Sequence, residues 1–327
     1  MVQIFISNPE DIKNSAVDFF CTLLSARATP FTEPEFPFQF ACLSTTQVAN
    51  LCHLPSKEEI KEVVFQICKD SVAGPDGFTS TFYQTCWDFI SSDIKEAVKD
   101  FFCGSPMPRS FTATTITLIP KTDNPQTWSE FRPISLCNVT NKILSKLLYK
   151  KLADNLPMLI SPSQSGFVPR KLIGDNILLA QEMIHSLDKR YDKGNVVLKL
   201  DMTKAYDKIC WKFLYCVLHA MGFPARFIHL IKNAIENCWF TVLINGETAS
   251  FFKSTQGLRQ GDPISPALLI LAAEALSRGL GYLFRSNPTM YYQTHCRTPV
   301  THLSYADDII IFTNSDESNL EKLMDFL

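Results

Sequence analysis

Hydrophobic and polar positions along the 327-residue chain predict an alternation of amphipathic helices and short strands. The helical spacing is clear after the capping box SKEE at residues 56–59, where Ile60, Val63, Val64 and Ile67 fall on one face. Further helices are expected over residues 8–25, 79–103, 138–152, 175–193, 207–221 and 224–237, from after residue 263 to about 285, and from residue 316 onward.

Strands are expected where short apolar, β-branched runs meet turn residues. Residues 112–119 alternate as a strand, and residues 195–201 (NVVLKLD) form a buried strand that ends on an aspartate. Residues 239–252 predict a hairpin around Asn245-Gly246, and residues 300–313 read as strand, turn, strand. We expect the last three segments to share one antiparallel sheet, which makes the fold class α+β.

The chemistry of the chain is concentrated in residues 303–312 (LSYADDIIIF). Two adjacent carboxylates, Asp307 and Asp308, occupy the turn between the two apolar runs. Because neighbouring negative charges repel, this turn favours a cation, a basic side chain or solvent as a partner. Both a metal site and an ordinary solvated hairpin turn fit the pattern, and for Asp-Asp alone the solvated turn is the commoner case.

A third carboxylate, Asp201, ends the strand at residues 195–201. If the two segments are neighbours in one sheet, three carboxylates converge at its edge. Carboxylate oxygens are the hard ligands that Mg²⁺ prefers, and two such ions stabilise the attacking and leaving oxygens in phosphoryl transfer. Taken singly, each aspartate is more often a cap or turn residue.

Composition is that of a folded protein, with 46% hydrophobic and 20% charged residues. The net charge of −2 conceals a segregation of charge along the chain. Nine basic and three acidic side chains give residues 101–171 a net charge of +6, whereas residues 1–100 carry −7. A phosphate would feel such a local field, although a solvated helix face accounts for it equally well.

No secretory signal is evident at the N-terminus, and the apolar run at residues 266–273 is too short for a membrane span and is followed by Glu274. The eleven cysteines lack CxxC pairs, so we expect reduced thiols and an intracellular protein of the nucleus, the cytoplasm or both. His295-Cys296 with His302 comes nearest to a zinc cluster but lacks a fourth ligand.

Seven short motifs occur in an order that resembles the reverse transcriptases. Residues 200–207 (LDMTKAYD) resemble motif A of that family, residues 257–266 (GLRQGDPISP) motif B, and residues 305–308 (YADD) motif C. Four earlier segments resemble its finger motifs: AGPDG at 73–77, LIPK at 118–121, FRPIS at 131–135 and QSGF at 164–167. The resemblance covers residues 56–313 and is closest to the non-LTR (long interspersed element) retrotransposons of plants.

This resemblance implies a right-hand polymerase fold with fingers and an antiparallel palm sheet flanked by helices, and an RNA-directed DNA polymerase activity. It divides the chain into an N-terminal helical and loop extension (1–55), fingers (56–193) and palm (194–327). Members usually continue past motif C into a thumb and often carry an upstream endonuclease. The chain is therefore expected to be truncated after motif C, without a thumb.

The resemblance also implies roles for individual residues. Asp201 and Asp307 would ligate two Mg²⁺ ions, with Mn²⁺ as a possible substitute, and Asp308 would be an auxiliary metal-binding carboxylate. Tyr206 matches the family's steric gate, whose ring occupies the space that a ribonucleotide 2′-hydroxyl needs. A second reading of Tyr206 is a hydrophobic staple onto the following helix, and both can hold.

The remaining carried-over residues concern the incoming dNTP. Lys121 and Arg132 match finger residues that hold the triphosphate, and arginine suits this role because its fork binds phosphate oxygens bidentately. A loop lysine in water is an equally good interpretation of Lys121. Gln260 and Gly261 match the part of motif B that lies against nucleotide and template. Four lysines on one helix could contact template or simply face solvent: Lys142, Lys146, Lys150 and Lys151.

The implied partners are an RNA template, a DNA primer and dNTPs, with no membrane and no clear protein partner. An active Mg²⁺-dependent reverse transcriptase domain is one hypothesis. The alternative is a catalytically inactive, truncated retrotransposon remnant that at most binds nucleic acid. A different palm enzyme, such as a nucleotide cyclase, is disfavoured because the chain carries motif B and has no GGDEF-like motif.

Overall fold

The computed structural model describes residues 7–26, 30–185, 187, 194–294 and 299–327. The end of the helix predicted over 175–193 and the pair His295-Cys296 lie outside these residues. The helices are α1 Pro9–Leu23, α2 Thr45–Cys52, α3 Lys57–Phe65, α4 Ser80–Thr85, α5 Trp87–Phe102, α6 Arg109–Thr112, α7 Val139–Ala153, α8 Leu156–Leu159, α9 Ile173–His185, α10 Ala205–Lys208, α11 Trp211–Ala220, α12 Ala225–Glu236, α13 Ser265–Ser286 and α14 Glu317–Phe326. The strands are β1 Ala113–Pro120, β2 Phe131–Cys137, β3 Asn195–Asp201, β4 Trp239–Ile244, β5 Glu247–Thr248, β6 Phe252–Lys253, β7 His302–Tyr305 and β8 Asp308–Asn314.

The acidic hairpin forms a three-stranded antiparallel sheet in the order β3-β8-β7. Its register places Asp201 opposite Asp308 and Tyr305 opposite Asp308. Ala306 and Asp307 make the turn, with Ala306 in the left-handed region at φ 56°. The prediction that the strand ending at Asp201 neighbours the acidic hairpin is thus confirmed.

The hairpin at residues 239–252 belongs to a second sheet, so its predicted place beside the aspartates is wrong. This sheet has the order β2-β1-β4-β5, and β6 also pairs with β4. Strand β4 runs parallel to β1, from Ala113 opposite Trp239 to Ile116 opposite Val242. The alternation of apolar and polar residues in β4 indicates which face of the strand is buried. It does not indicate the partner strand, because β1 lies more than a hundred residues earlier in the chain.

Both faces of the β3-β8-β7 sheet are covered by helices. On one face Ile309 and Ile311 pack with Leu280 of α13 and Leu323 of α14. On the other face Phe312 and Leu303 pack with Met183 of α9. Burying each of these side chains contributes roughly 1.5–3 kcal/mol, so the sheet is rigidly held while its end with the aspartates stays open to solvent.

A predicted single helix over residues 79–103 is divided at Cys86 into α4 and α5. Cys86 has φ −90° and ψ 11°, which turns the chain between the two helices. The buried side chain of Gln84 donates to the carbonyls of Val64 (3.0 Å) and Ile67 (2.8 Å). These bonds satisfy carbonyls at the C-terminal end of α3. The turn at Cys86 therefore lets α4 bond to α3 while α5 continues in another direction.

Helix α13 extends well beyond the apolar run seen in the sequence. By length and composition it could cross a membrane, but 67% of its most apolar window is buried inside the protein. Glu274 within it is also buried, accepts a hydrogen bond from the Ser161 amide (3.0 Å) and pairs with Arg278 at 2.6 Å. These features fit a central core helix.

Candidate active site

A cavity of about 240 Å³ gathers residues from widely separated segments. Five of the eight predicted site residues line it: Lys121, Arg132, Tyr206, Gln260 and Asp307. The rest of its wall consists of Phe19, Phe20 and Leu23 from α1, together with Trp128, Phe131, Pro133, Lys204, Ala205 and Asp207. Aromatic walls with converging cations, an amide and carboxylates are typical of ligand-binding pockets.

Asp201 and Asp308 are not part of the cavity wall. They are exposed at the end of the sheet, although Asp308 directly follows Asp307 in the chain. The ammonium of Lys199 lies 3.2 Å from a carboxylate oxygen of Asp308, with both side chains more than half exposed. Solvent screens such a pair, so it contributes little to stability.

Gly261 also lies outside this cavity. It lines a neighbouring groove of about 420 Å³ with Ile134, Lys142 and Lys146. Its φ of 100° is one that side chains rarely adopt, and a Cβ there would lie 3.4 Å from the Ser135 carbonyl oxygen. Glycine therefore lets the motif B backbone pass close to strand β2.

A divalent metal ion at Asp201 and Asp307 would need further ligands from a bound substrate or water. Among the described residues, no three His, Cys, Asp or Glu side chains are grouped closely enough to hold a metal. Within the same ranges, the carboxylates of Asp201 and Asp307 have neither a hydrogen-bond partner nor an ion pair. Mg²⁺ is commonly bound by one or two carboxylates plus substrate phosphates and water, which matches this open donor set.

The cysteines and His302 show no sign of a zinc centre in the described part of the chain. The ten cysteines there are free thiols, and Cys296 lies outside it. His302 is buried, and its ring nitrogens hydrogen-bond with the hydroxyls of Ser277 (2.6 Å) and Thr301 (2.9 Å). Burial lowers the pKa of His302 to about 4, which keeps the ring neutral at pH 7.

Motif B is hydrogen-bonded to the backbone of motif A. The amide of Leu258 donates to the Tyr206 carbonyl (2.6 Å), and the amide of Gly257 donates to the Ile209 carbonyl (2.9 Å). Gly257 has φ 87°, and a Cβ there would lie only 2.7 Å from the Asp207 carbonyl oxygen. The close approach of the two motifs consequently requires glycine at this position.

The same loop is joined to the β1–β2 hairpin. The Ser135 amide donates to the Gln260 carbonyl (2.8 Å), and the Gln260 side-chain amide donates to Asp207 Oδ1 (3.1 Å). Arg259 is buried, pairs with Asp262 and donates to the Ala234 carbonyl (3.1 Å). Gln260 is thereby held at the cavity from both its backbone and its side chain.

Gln164, in the QSGF motif, holds the acidic turn by its side chain. Its Nε2 donates to the Ala306 carbonyl (3.1 Å), while its Oε1 accepts from the amides of Ala306 (2.9 Å) and Gly166 (2.8 Å). The neighbouring backbone runs beside β7, where Ser165 donates to the Ser304 carbonyl (3.1 Å). A motif that resembles part of the fingers thus fixes the residue before Asp307, a role that its sequence did not indicate.

The lysines of α7 are half-buried, and each has a partner in a neighbouring segment. They hydrogen-bond or pair with neighbouring segments: Lys142 with Ser71 Oγ (2.8 Å) and the Val72 carbonyl (2.9 Å), Lys146 with the Gln66 carbonyl (2.9 Å), Lys150 with Glu62 (2.5 Å) and Lys151 with the Asn50 carbonyl (3.3 Å). Partial burial lowers the pKa of Lys142, Lys146 and Lys151. These side chains satisfy carbonyls at helix ends and in loops.

Sequence reasoning did not single out nine of the cavity residues, among them Phe19, Lys204 and Asp207. Phe19 comes from the N-terminal extension, where no pattern indicated a site. Lys204 and Asp207 lie inside the motif A segment, whose resemblance could have drawn attention to them. Burial raises the pKa of the Asp207 carboxyl to about 6, against the opposing hydrogen bond from Gln260 and the charge of Lys204.

The chain thus combines a mixed α+β fold with a cavity in which three cationic side chains, an amide and two carboxylates converge, as in a ligand-binding site. The family model described as "Reverse transcriptase (RNA-dependent DNA polymerase)" matches residues 119–327, which is well over half of the chain. The chain belongs to this family.

Several curated proteins are similar to the chain. The "Transposon TX1 uncharacterized 149 kDa protein" of Xenopus laevis is 27% identical over 94% of the chain. The "Retrovirus-related Pol polyprotein from type-2 retrotransposable element R2DM" of Drosophila melanogaster is 26% identical over 80%. The "RNA-directed DNA polymerase from mobile element jockey" of the same fly is 25% identical over 64%.

The chain spans 23%, 24% and 21% of the lengths of these three relatives, about a quarter of each. Its predicted resemblance to reverse transcriptases of non-LTR retrotransposons is confirmed at this level.

The clamp on the acidic turn predicts a specific loss of stability. Gln164→Leu keeps the side-chain volume but leaves two buried amides and a carbonyl without their partner, and we expect it to lower the free energy of unfolding by about 3 kcal/mol. Urea denaturation measures the change. Gln66→Leu, at an exposed glutamine whose side chain bonds, among the described residues, only to that of Glu62, is the matched control and should cost under about 0.5 kcal/mol. Equal losses in both variants would contradict the clamp.

Burial of Asp207 predicts a pH-dependent stability. Because the folded-state pKa is raised from 3.8 to about 6, the native state binds the proton more tightly than the unfolded state. The tighter proton binding by the native state adds its full contribution to the free energy of unfolding below about pH 4. That contribution is lost as the pH rises through 6.

Asp207→Asn should therefore be more stable than the wild type by up to about 3 kcal/mol at pH 7.5, and by only about 1 kcal/mol at pH 4.5. Urea titrations at the two pH values compare the gains. A gain of the same size at both would contradict the raised pKa.

Proposed function

We propose that this domain is an RNA-directed DNA polymerase that adds dNTPs to a primer 3′-hydroxyl by two-metal phosphoryl transfer. The observation that carries the proposal is the single cavity lined by Lys121, Arg132, Tyr206, Gln260 and Asp307. These residues come from five of the motifs that resemble the reverse transcriptases, and all five line one cavity of about 240 Å³. Membership of the family supports the same reaction.

The β1–β2 hairpin would bind the triphosphate. Arg132 is opposite Ile119 in the register of the two strands, and the Lys121 amide donates to the Glu130 carbonyl (2.8 Å). Both cations therefore project from the end of a rigid hairpin. The planar guanidinium of Arg132 would bind two phosphate oxygens at once, while the Lys121 ammonium adds a point charge.

Asp201 and Asp307 would hold the metal ions, with Asp308 as an auxiliary carboxylate beside Lys199. Two bound Mg²⁺ or Mn²⁺ ions supply charge at the attacking and leaving oxygens of the displaced phosphate. The chain's own contribution is position. Cross-strand pairing fixes Asp201, and the Gln164 side chain fixes the turn that presents Asp307.

Tyr206 would select deoxynucleotides. Its ring lines the cavity beside Asp307, and it also packs against the main core, so the steric-gate and staple readings are compatible. Burial and the charge of Asp307 raise the pKa of the Tyr206 hydroxyl to about 12, which keeps it neutral at pH 7. The ring would exclude a 2′-hydroxyl from the sugar position.

The substrates proposed are an RNA template, a DNA primer and dNTPs, and the setting proposed is intracellular. The affinity with plant elements stays a prediction. An inactive remnant that only binds nucleic acid is the alternative, but the eight predicted site residues are all present in the sequence and five of them line one cavity.

Primer extension tests the reaction. With poly(rA), oligo(dT), dTTP and Mg²⁺, the wild-type chain should extend the primer, and Asp307→Ala should reduce the rate by about a thousandfold because a metal-binding carboxylate supplies several kcal/mol to the transition state. Asp123→Ala, at an exposed loop aspartate, should keep wild-type activity. Wild-type extension no faster than that of Asp307→Ala refutes the proposal.

Substitution of the steric gate tests nucleotide selection. Tyr206→Val should lower the preference for dTTP over UTP by about tenfold or more, because the lost ring leaves room for the 2′-hydroxyl. Tyr206→Phe keeps the ring and should discriminate as the wild type does. Competitive incorporation of the two nucleotides gives the ratio. An unchanged ratio in Tyr206→Val would show that Tyr206 serves only the core.

A further inference from the structure

Lys204 occupies an unusual backbone conformation at the edge of the cavity. It precedes α10 with φ 57° and ψ 44°, the left-handed region that a residue with a side chain adopts at a cost of about 1 kcal/mol or more. Its side chain lines the cavity beside Tyr206. Such conformations persist where the surrounding structure holds them, and they cluster at functional sites.

An aromatic ring from the N-terminal helix holds the side chain of Lys204. The Nζ of Lys204 lies 4.7 Å from the ring centroid of Phe19, within the range of a cation–π interaction. Phe19 in turn packs edge-on against Phe20 at 5.1 Å between centroids, and Phe20 is buried with Ile116 and Phe240 beneath the second sheet. The ring that contacts Lys204 is therefore fixed by the core.

Three cationic side chains line the cavity, and in the part of the chain that the structure describes none of them forms an ion pair with a carboxylate there. Within the described ranges, neither Arg132 nor Lys204 has an ion pair or a side-chain hydrogen bond, and the side chain of Lys121 donates only to the Ser129 carbonyl (3.0 Å). Partial burial lowers the pKa of Lys204, and the nearby charge of Lys121 lowers it further, against the attraction of Asp207. A bound polyanion would reverse this penalty by interacting with three cations at once.

We propose that Lys204, positioned by the ring of Phe19, is a third cationic contact for the phosphates of the incoming nucleotide, so that helix α1 is part of the nucleotide site. The identity of the ligand rests on the proposed polymerase function, whereas the polyphosphate-binding chemistry rests on the cavity itself. Lys204 touches the ligand, and Phe19 acts through Lys204.

Polyphosphate binding tests the cation directly. Titration of the whole chain with inorganic tripolyphosphate should show about tenfold weaker affinity for Lys204→Gln, because a charge-assisted contact is worth about 1.5–3 kcal/mol and 1.4 kcal/mol is tenfold. The matched control is Lys212→Gln, which removes another lysine that lies over an aromatic ring, 5.8 Å from the centroid of Phe31 and outside the cavity. Equal affinities for the two variants overturn the proposal.

A double-variant comparison tests the positioning role of Phe19. Phe19→Leu keeps an apolar side chain but removes the ring and should weaken tripolyphosphate binding about threefold, whereas Phe19→Tyr keeps the ring and should bind as the wild type does. In a Lys204→Gln background, Phe19→Leu should have no further effect. A purely structural role predicts the same loss in both backgrounds, and that result overturns the proposed coupling.

Primer-extension kinetics separate this inference from the proposed function. Lys204→Gln should raise KM for dTTP about tenfold with kcat changed less, because the contact exists in the bound substrate. If the wild type extends primers and KM is unchanged, the inference fails alone. If the wild type extends no primer, the proposed function fails, and the tripolyphosphate titration still decides the role of Lys204.

Discussion

The turn that presents Asp307 depends on main-chain hydrogen bonding around Ala306, because a left-handed alanine holds its place only when its surroundings over-determine it. The buried amide of Gln164 bonds to both the N–H and the C=O of Ala306, and Gly166 leaves no room for a Cβ beside it. The covered faces of the β3-β8-β7 sheet prevent the strands from sliding, since a shift by one residue would turn Ile309 and Ile311 to the opposite face and break their packing with Leu280 and Leu323. Every role assigned to the aspartates presupposes this rigidity.

The rest of the site is assembled through the motif B loop. Its backbone bonds to motif A at Tyr206 and to the β1–β2 hairpin at Ser135, and these bonds connect the proposed triphosphate contacts to the proposed sugar selector. The exposed charge pair between Lys199 and Asp308 contributes less to the assembly, whereas the pair between Arg259 and Asp262 is buried within the motif B loop. Backbone bonds suit a site that must keep its cations and carboxylates available for ligands.

The basic segment at residues 101–171 shows why a local excess of charge is a poor guide to a binding surface. Lys142 and Lys146 on α7 donate to neighbouring carbonyls, and Lys171 donates to the carbonyls of Ser161 (2.6 Å) and Gln164 (3.0 Å). Lys121 and Arg132 line the proposed nucleotide cavity, where Lys204 from outside the segment joins them. The number of charged residues can be read from the sequence. Which of them already have hydrogen-bond partners within the protein cannot.

The sequence by itself determined the local elements: the strand that ends at Asp201, the hairpin with Asp307 in its turn, and the helix after the capping box at residues 56–59. It also carried the motifs that identify the family. Only the tertiary structure decided that β4 pairs with β1, that Gln164 clamps the acidic turn, and that Phe19 reaches the cavity. The physical reason is distance along the chain. Periodicity and turn residues record which face of an element is buried, whereas its partner is chosen by packing and hydrogen bonds between segments that no local pattern relates.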